Sequence, residues 1–115
     1  IRDSLLCEME AKIDLNRLER IGKTVDVPLV IHGGSGFPDN LVKEAIRLGA
    51  CKFNVGTILV KSFVNGMKKV TNTGIEQYKE AYVFLDAIYT SGRSEMKNTV
   101  KKKMRIYGCV GRART

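Results

Sequence analysis

The hydrophobic residues of this chain alternate between short continuous runs and stretches with helical spacing. The continuous runs, at 25–31 and at about 51–55, predict two strands. The helical stretches predict five helices, and these lie at 15–21, 38–48, about 57–70, 75 to about 89, and from 94 onwards. Residues 1–13 give no clear element. The order of strands and helices after residue 25 predicts an α/β fold.

Residues that begin and end helices mark several of these boundaries. Asp14 is a plausible N-cap for the first helix and Gly22 its end. Pro38 with Asp39 begins the second helix, whose buried side we expect to comprise Leu41, Val42, Ala45, Ile46 and Leu48, and Gly49 ends it. The pair at 91–92, Ser-Gly, predicts a break between the last two helices.

Both predicted strands run directly into loops rich in glycine and hydroxyl residues. The first loop begins with the only histidine, His32, and continues as Gly33, Gly34, Ser35 and Gly36. Glycines have no Cβ, so backbone N–H groups can converge there on an oxygen-rich ligand. The second loop reads Asn-Val-Gly-Thr over 54–57. A structural interpretation remains open, in which both loops are tight turns whose Ser35 and Thr57 cap the next helices.

The formal net charge of +8 is concentrated at the end of the chain. Residues 93–115, a basic helix and tail, hold eight Lys and Arg against one acidic residue. A solvated helix face explains this better than a nucleic-acid interface, because no nucleic-acid-binding motif accompanies it. Arg93 or the lysines could also attract a phosphorylated sugar. The number and spacing of the cysteines, Cys7, Cys51 and Cys109, indicate neither a disulfide framework nor a cysteine zinc site.

Three segments together resemble a known family. Residues 27–36 (VPLVIHGGSG), 53–57 (FNVGT) and 103–108 (KMRIYG) are similar to the C-terminal part of the class II, zinc-dependent ketose-bisphosphate aldolases, both fructose- and tagatose-specific. The match covers roughly residues 12–113. It implies about the last two βα units of a (β/α)8 TIM barrel plus C-terminal helices, because a whole barrel needs about 250 residues. We therefore expect 1–115 to be one partial barrel domain.

The resemblance also implies an activity. Such aldolases cleave or form ketose bisphosphates through a zinc-stabilised enediolate of dihydroxyacetone phosphate. His32 would be one of three zinc ligands, and a monovalent cation could assist. The residues implied to hold the substrate and its phosphate are Gly33, Gly34, Ser35, Asn54, Val55, Gly56 and Thr57. We expect a cytoplasmic homo-oligomer of carbohydrate metabolism without membrane or nucleic-acid partners.

Part of the family's machinery has no counterpart in these residues. The family's other zinc ligands and its proton-transfer aspartate lie upstream, and the register of one ligand falls here on Ser4-Leu5. We therefore assign no catalytic residue and expect the chain alone to be inactive. The alternative is a non-catalytic remnant that acts as a phosphate-binding or assembly module. Ile58 stands where many members carry aspartate, and Gly56 stands where the fructose-specific type carries one, so the choice of sugar stays open.

Overall fold

The computed structural model describes residues 12–113, which divide into two compact units. The first unit comprises the residues up to Thr57 together with those from Arg105, and the second comprises Ile58–Met104. The helices and strands in chain order are α1 Leu15–Thr24, β1 Leu29–Ile31, α2 Val42–Arg47, β2 Ala50–Phe53, α3 Thr57–Thr71 and α4 Ala81–Ile106. Short 3-10 helices lie at Asp39–Leu41 and Ile75–Gln77. The α/β class expected from the sequence is confirmed.

Strands β1 and β2 form a parallel pair in the first unit. Leu29 lies opposite Ala50 and Ile31 opposite Phe53, with a shift of register after Leu29. The prediction of a strand over 25–31 was too long. Val25 instead closes α1, because its N–H donates to the carbonyl oxygen of Ile21 at 3.2 Å. Since the strands are parallel, their carboxyl ends lie at the same edge of the sheet.

Helix α1 begins as predicted but does not end as predicted. The Asp14 side chain accepts a hydrogen bond from the Arg17 amide at 2.9 Å, which is an N-cap. The helix continues past Gly22 to Thr24. A Cβ on Gly22 would lie 2.9 Å from the carbonyl oxygen of Leu48, so this glycine permits a close approach between two segments.

The buried core of the first unit forms around α2. Its buried members are Phe37, Val42, Ala45 and Ala50. Of the side chains predicted to face inward from this helix, Ile46 is the exception, because it is 41% exposed. Gly49, with φ of 107°, ends the turn after α2 as predicted, in a conformation that favours glycine.

Phe53, the last residue of β2, is held between two other aromatic rings. Phe37 meets it edge-on, with ring centroids 5.4 Å apart, and Tyr107 stacks on it at 4.7 Å. Aromatic pairs at these separations contribute about 0.5–1.5 kcal/mol beyond their buried area. These two contacts hold Phe53 in place, and Asn54 is the next residue in the chain.

The second unit is built from α3 and one long helix, α4. The predicted helix over 75–89, the break at 91–92 and a helix capped by Ser94 were wrong, because α4 runs without interruption from Ala81 to Ile106. Ser91 and Gly92 instead contact residues of α3. The Ser91 hydroxyl donates to the Gly66 carbonyl oxygen at 2.7 Å, and Gly92 faces the Phe63 ring.

The end of α4 is less simply amphipathic than the sequence suggests. We expected apolar side chains, Val100 and Met104 among them, on one side and lysines on the other. Instead Lys103 is 7% exposed, whereas Val100 and Met104 are 37% and 43% exposed. A lysine can occupy such a position because its aliphatic stem packs like an apolar side chain. Within residues 12–113, no helix is long and apolar enough to cross a membrane.

Candidate functional site

The two loops singled out in the sequence follow the two paired strands. Residues 32–37 come directly after β1, and residues 54–56 come directly after β2. Because β1 and β2 are parallel, both loops leave the sheet at its carboxyl edge. In open α/β sheets and in barrels this edge is where ligands bind.

A backbone hydrogen bond joins the two loops at Gly34. Its N–H donates to the carbonyl oxygen of Asn54 at 2.9 Å. Gly34 is buried, and a Cβ placed on it would lie 2.9 Å from that oxygen and 3.2 Å from the Val55 side chain. Glycine is needed at position 34 because the second loop lies directly against it.

The Ser35 hydroxyl makes a second link between the loops. It accepts a hydrogen bond from the Gly56 amide at 3.2 Å. Within the first loop, the Gly36 amide donates to the Gly33 carbonyl oxygen at 3.1 Å, and Gly33 has a left-handed φ of 70°. The amides of Gly34, Gly36 and Gly56 are thus all engaged by the protein itself. Of these three, only the Gly56 amide is held by a side chain.

The remaining residues of the second loop lead into a helix. Val55 and Thr57 are half-buried, and Thr57 is the first residue of the 15-residue helix α3. The N-terminus of a helix carries unpaired N–H groups and a partial positive charge, which suit an anion. The structure therefore joins the Ser35 hydroxyl to the Gly56 amide, and a helix begins at the next residue, Thr57.

His32 lies exposed at the end of β1, and its side chain meets Asn54. The imidazole Nδ1 is 3.3 Å from the side-chain amide nitrogen, Nδ2, of Asn54. The Asn54 backbone is held as well, because its N–H donates to the Ile31 carbonyl oxygen at 2.9 Å. This side-chain pair, 22 residues apart in the chain, was not predicted from the sequence.

A cavity of about 420 Å³ opens beside His32 and Gly33. Its lining comprises Lys12, Ile13, Asp14, Arg17, Leu18, Ile21, Ile31, His32, Gly33 and Phe37. Two basic side chains, Lys12 and Arg17, border it, and the Arg17 guanidinium lies 3.6 Å from the Asp14 carboxylate. Sequence analysis missed both basic residues, since the only local signal was the capping role of Asp14.

The basic tail borders a different cavity, of about 660 Å³. Lys43, Arg105 and Arg112 line it together with Tyr107 and Cys109, among others. Burial raises the pKa of the Tyr107 phenol above its usual range, and the negative charges of Asp39 and Cys109 add to the effect. This cavity shares no lining residue with the one beside His32.

The described residues do not form a complete metal site. Among residues 12–113, no group of three or more His, Cys, Asp and Glu side chains could hold a metal ion. A catalytic zinc keeps three protein ligands and an open position. The exposed imidazole of His32 fits one of these three, and the donor set is incomplete without residues from elsewhere. Cys51 and Cys109 are free and exposed, and Cys7 lies outside the described residues.

The chain is similar to aldolases in sequence and in structure. The family model described as fructose-bisphosphate aldolase class-II matches residues 6–112. A sulfofructosephosphate aldolase from Alkalicoccus urumqiensis is 38% identical over 108 residues, which cover 94% of this chain and 36% of that protein. The X-ray crystal structure of the YdjI aldolase from Escherichia coli K12 matches with a TM-score of 0.68 and 26% identity, over 90% of this chain and 36% of that one. The chain therefore spans a little over a third of the length of each.

Proposed function

Because the chain belongs to the class-II fructose-bisphosphate aldolase family, we propose that it forms the phosphate-holding part of an aldolase active site. The family resemblance drawn from the three sequence segments is thereby confirmed. The enzyme that contains this chain would cleave and form the carbon–carbon bond of a ketose phosphate. One observation carries the proposal: the loops after β1 and β2 are joined by the Gly34–Asn54 and Ser35–Gly56 hydrogen bonds.

The joined loops suit a phosphate because they gather several hydrogen-bonding groups at one edge. A bound phosphate would take the Gly56 N–H from Ser35, and the Ser35 hydroxyl would turn to donate to it. The start of α3 at Thr57 adds the favourable end of the helix dipole. Gly33 and Gly34 keep the backbone close enough for this contact, and Asn54 and Val55 hold the second loop in place.

We further propose that β1 and β2 are the last two strands of a (β/α)8 barrel. Their parallel pairing and the helix that follows each strand support this, as does the match to a solved aldolase over 90% of the chain. In barrels of this kind the phosphate site commonly forms at the loops after strands seven and eight. The single partial-barrel domain over 1–115 and the cytoplasmic homo-oligomer stay predictions.

The substrate class follows from what the related proteins' names share. The family is named for fructose bisphosphate and the relative for sulfofructosephosphate, so both names contain a phosphorylated fructose. A phosphate anchor suits either sugar, because it holds the end that they have in common. We infer a ketose phosphate as the substrate, with dihydroxyacetone phosphate as the phosphorylated fragment.

His32 is proposed as one ligand of a zinc ion whose other ligands lie outside residues 12–113. When bound, such an ion supplies positive charge that stabilises the developing enediolate. The chain's own residues fix the phosphate, and this positions the rest of the substrate at the mouth of the cavity beside His32. Positioning of this kind can contribute several kcal/mol to the lowering of the barrier.

The proposal is tested by Ser35→Ala in the enzyme that contains this chain. Losing one hydrogen bond to a charged group costs about 1.5–3 kcal/mol, so kcat/KM for a ketose phosphate should fall about 10- to 150-fold. Ser94→Ala is the matched control, because Ser94 lies exposed within α4. Equal kcat/KM values for both variants would refute the phosphate anchor.

A second variant distinguishes the enzyme hypothesis from the hypothesis of a non-catalytic module. His32→Ala should remove tightly bound zinc and aldol cleavage together, and full activity in this variant would refute the ligand assignment. A protein that lacks aldolase activity yet binds dihydroxyacetone phosphate saturably without metal would instead be the phosphate-binding module. The exposed imidazole gives the enzyme hypothesis its specific support.

A further inference from the structure

The chain makes two tight turns after α4. Gly108 and Gly111 have left-handed φ values of 70° and 73°, which glycine adopts without strain. In the first turn the Gly108 N–H donates to the Arg105 carbonyl oxygen at 3.1 Å. In the second the Arg112 N–H donates to the Cys109 carbonyl oxygen at 3.3 Å. The two turns keep Arg105, Cys109 and Arg112 within one short segment, and all three line the same cavity.

This cavity, of about 660 Å³, has three basic side chains in its lining. Lys43 belongs to α2, whereas Arg105 and Arg112 belong to the end of the chain. Every lining residue lies in the first compact unit. Two of them, Ile106 and Tyr107, pack against the buried core of that unit, so this part of the lining is fixed. The volume lies in the range of small-molecule sites, about 300–1,000 Å³.

The three positive charges are not neutralised within the part of the chain that the structure describes. Among residues 12–113, the side chains of Lys43, Arg105 and Arg112 form no ion pair. Glu44, the neighbour of Lys43 in sequence, is instead hydrogen-bonded to Arg47. No described Asp or Glu lines the cavity. A cavity lined by charges of one sign attracts ligands of the other sign, so this one favours anions.

We propose that this cavity binds a small molecule that carries at least two phosphate groups. The guanidinium groups of Arg105 and Arg112 are planar and can each hold two phosphate oxygens, and Lys43 adds a third positive charge. One phosphate group carries a charge of only about −1.5 to −2, so three cations suit more than one such group. The proposal does not rest on the aldolase function, since neither Ser35 nor Gly56 lines this cavity.

Cys109 provides the measurement because its free thiol lines the cavity. The full 115-residue chain is treated with iodoacetamide at increasing concentrations of inorganic triphosphate, and mass spectrometry of peptides follows each cysteine separately. Iodoacetamide is uncharged, so the triphosphate does not repel it. Alkylation of Cys109 should slow saturably. Cys51 is the internal control, because its thiol is also free and exposed but does not line the cavity, and its alkylation should not change.

Two variants test whether the basic side chains hold the triphosphate. Lys43→Gln and Arg112→Gln should each raise the half-protecting concentration about tenfold, which corresponds to about 1.4 kcal/mol for a lost charge-assisted hydrogen bond. Lys97→Gln is the matched control, because it removes the same charge from an exposed position of α4 outside the cavity, and it should leave that concentration unchanged. Circular dichroism confirms that the variants are folded, and either cavity variant suffices.

Three results would overturn the inference. Triphosphate at millimolar concentration that leaves Cys109 unprotected would show that the cavity is not a site. Equal shifts in Lys43→Gln and Lys97→Gln would show a response to the net charge of the chain. Protection that disappears in Ser35→Ala would place the triphosphate at the joined loops instead. Each of these leaves the aldolase proposal standing, since that proposal fails only through the activity and zinc content of the Ser35 and His32 variants.

Discussion

Gly34→Ala tests whether the contact between the two loops is as tight as the structure indicates. The added Cβ would lie 2.9 Å from the Asn54 carbonyl oxygen and 3.2 Å from a methyl group of Val55. The nearer atom belongs to the backbone, so relief requires a whole loop to move. That movement would also strain the Gly34–Asn54 hydrogen bond.

The expected cost follows from these contacts. Overpacking costs about 1–3 kcal/mol, and the reduced freedom of the unfolded chain returns about 0.4–1 kcal/mol. With part of a hydrogen bond also lost, we expect the free energy of unfolding to fall by about 1–3 kcal/mol. Gly36→Ala is the matched control, because a Cβ there meets only the Gly33 carbonyl oxygen, at 4.0 Å. The free energy of unfolding of Gly36→Ala should equal that of the wild type or exceed it by up to about 1 kcal/mol.

Urea unfolding followed by circular dichroism distinguishes the two variants. With m of about 1–3 kcal/mol per M, a loss of about 2 kcal/mol lowers the midpoint by roughly 1 M. Gly34→Ala should therefore unfold clearly before the wild type, and Gly36→Ala should not. Equal midpoints for the two variants would refute the packing argument. The same ranking in affinity for dihydroxyacetone phosphate would link the loop contact to ligand binding.

Three further predictions concern the helices and the aromatic stack. Gly66→Ala should lower the urea midpoint of the protein more than Gly92→Ala does. A Cβ on Gly66 would collide with the α4 backbone, whereas a Cβ on Gly92 would meet side chains of α3, which can adjust. The charged groups of Lys69 and Glu95 are 2.7 Å apart on the surface. A double-mutant cycle on this pair should give a coupling energy of about 0.2–1 kcal/mol, which declines with added salt. For Tyr107 the raised pKa means that the folded state holds the proton more tightly. Stability should therefore fall as the pH rises through the ordinary tyrosine pKa of about 10, and this fall should be smaller in Tyr107→Phe, as measured by unfolding at several pH values.

The strands and their loops could be predicted from sequence because their signals are local. An apolar run that ends in glycines predicts a strand followed by a turn, wherever the rest of the chain lies. The glycines inside helices could not be interpreted in this way. Gly22 and Gly92 were predicted as an end and a break, but each permits a close approach by a segment remote in sequence. Sequence alone does not distinguish a glycine that ends a helix from one that lets another segment pack against it.

In the candidate site, too, some features could be predicted from local sequence and others could not. That each of the two loops follows a strand was predicted from the sequence. The atoms through which they meet were not, because the Ser35–Gly56 and His32–Asn54 pairs depend on the register of β1 against β2. A shift of that register by one residue would turn each side chain to the other face. The contribution of Lys12 and Arg17 to the cavity likewise depends on where α1 packs.

The contacts between the loops also bear on how a ligand would be bound. The Gly34–Asn54 and Asn54–Ile31 bonds join backbone atoms, so they persist whatever the side chains do. Only the Ser35–Gly56 bond has to open for an anion to reach the Gly56 amide. On the proposed function, binding therefore requires the Ser35 side chain to turn away from the Gly56 amide. It also follows that Ser35→Ala should weaken phosphate binding less than Gly34→Ala does, because the alanine at 35 leaves the Gly56 amide accessible while the alanine at 34 moves the loop that carries it.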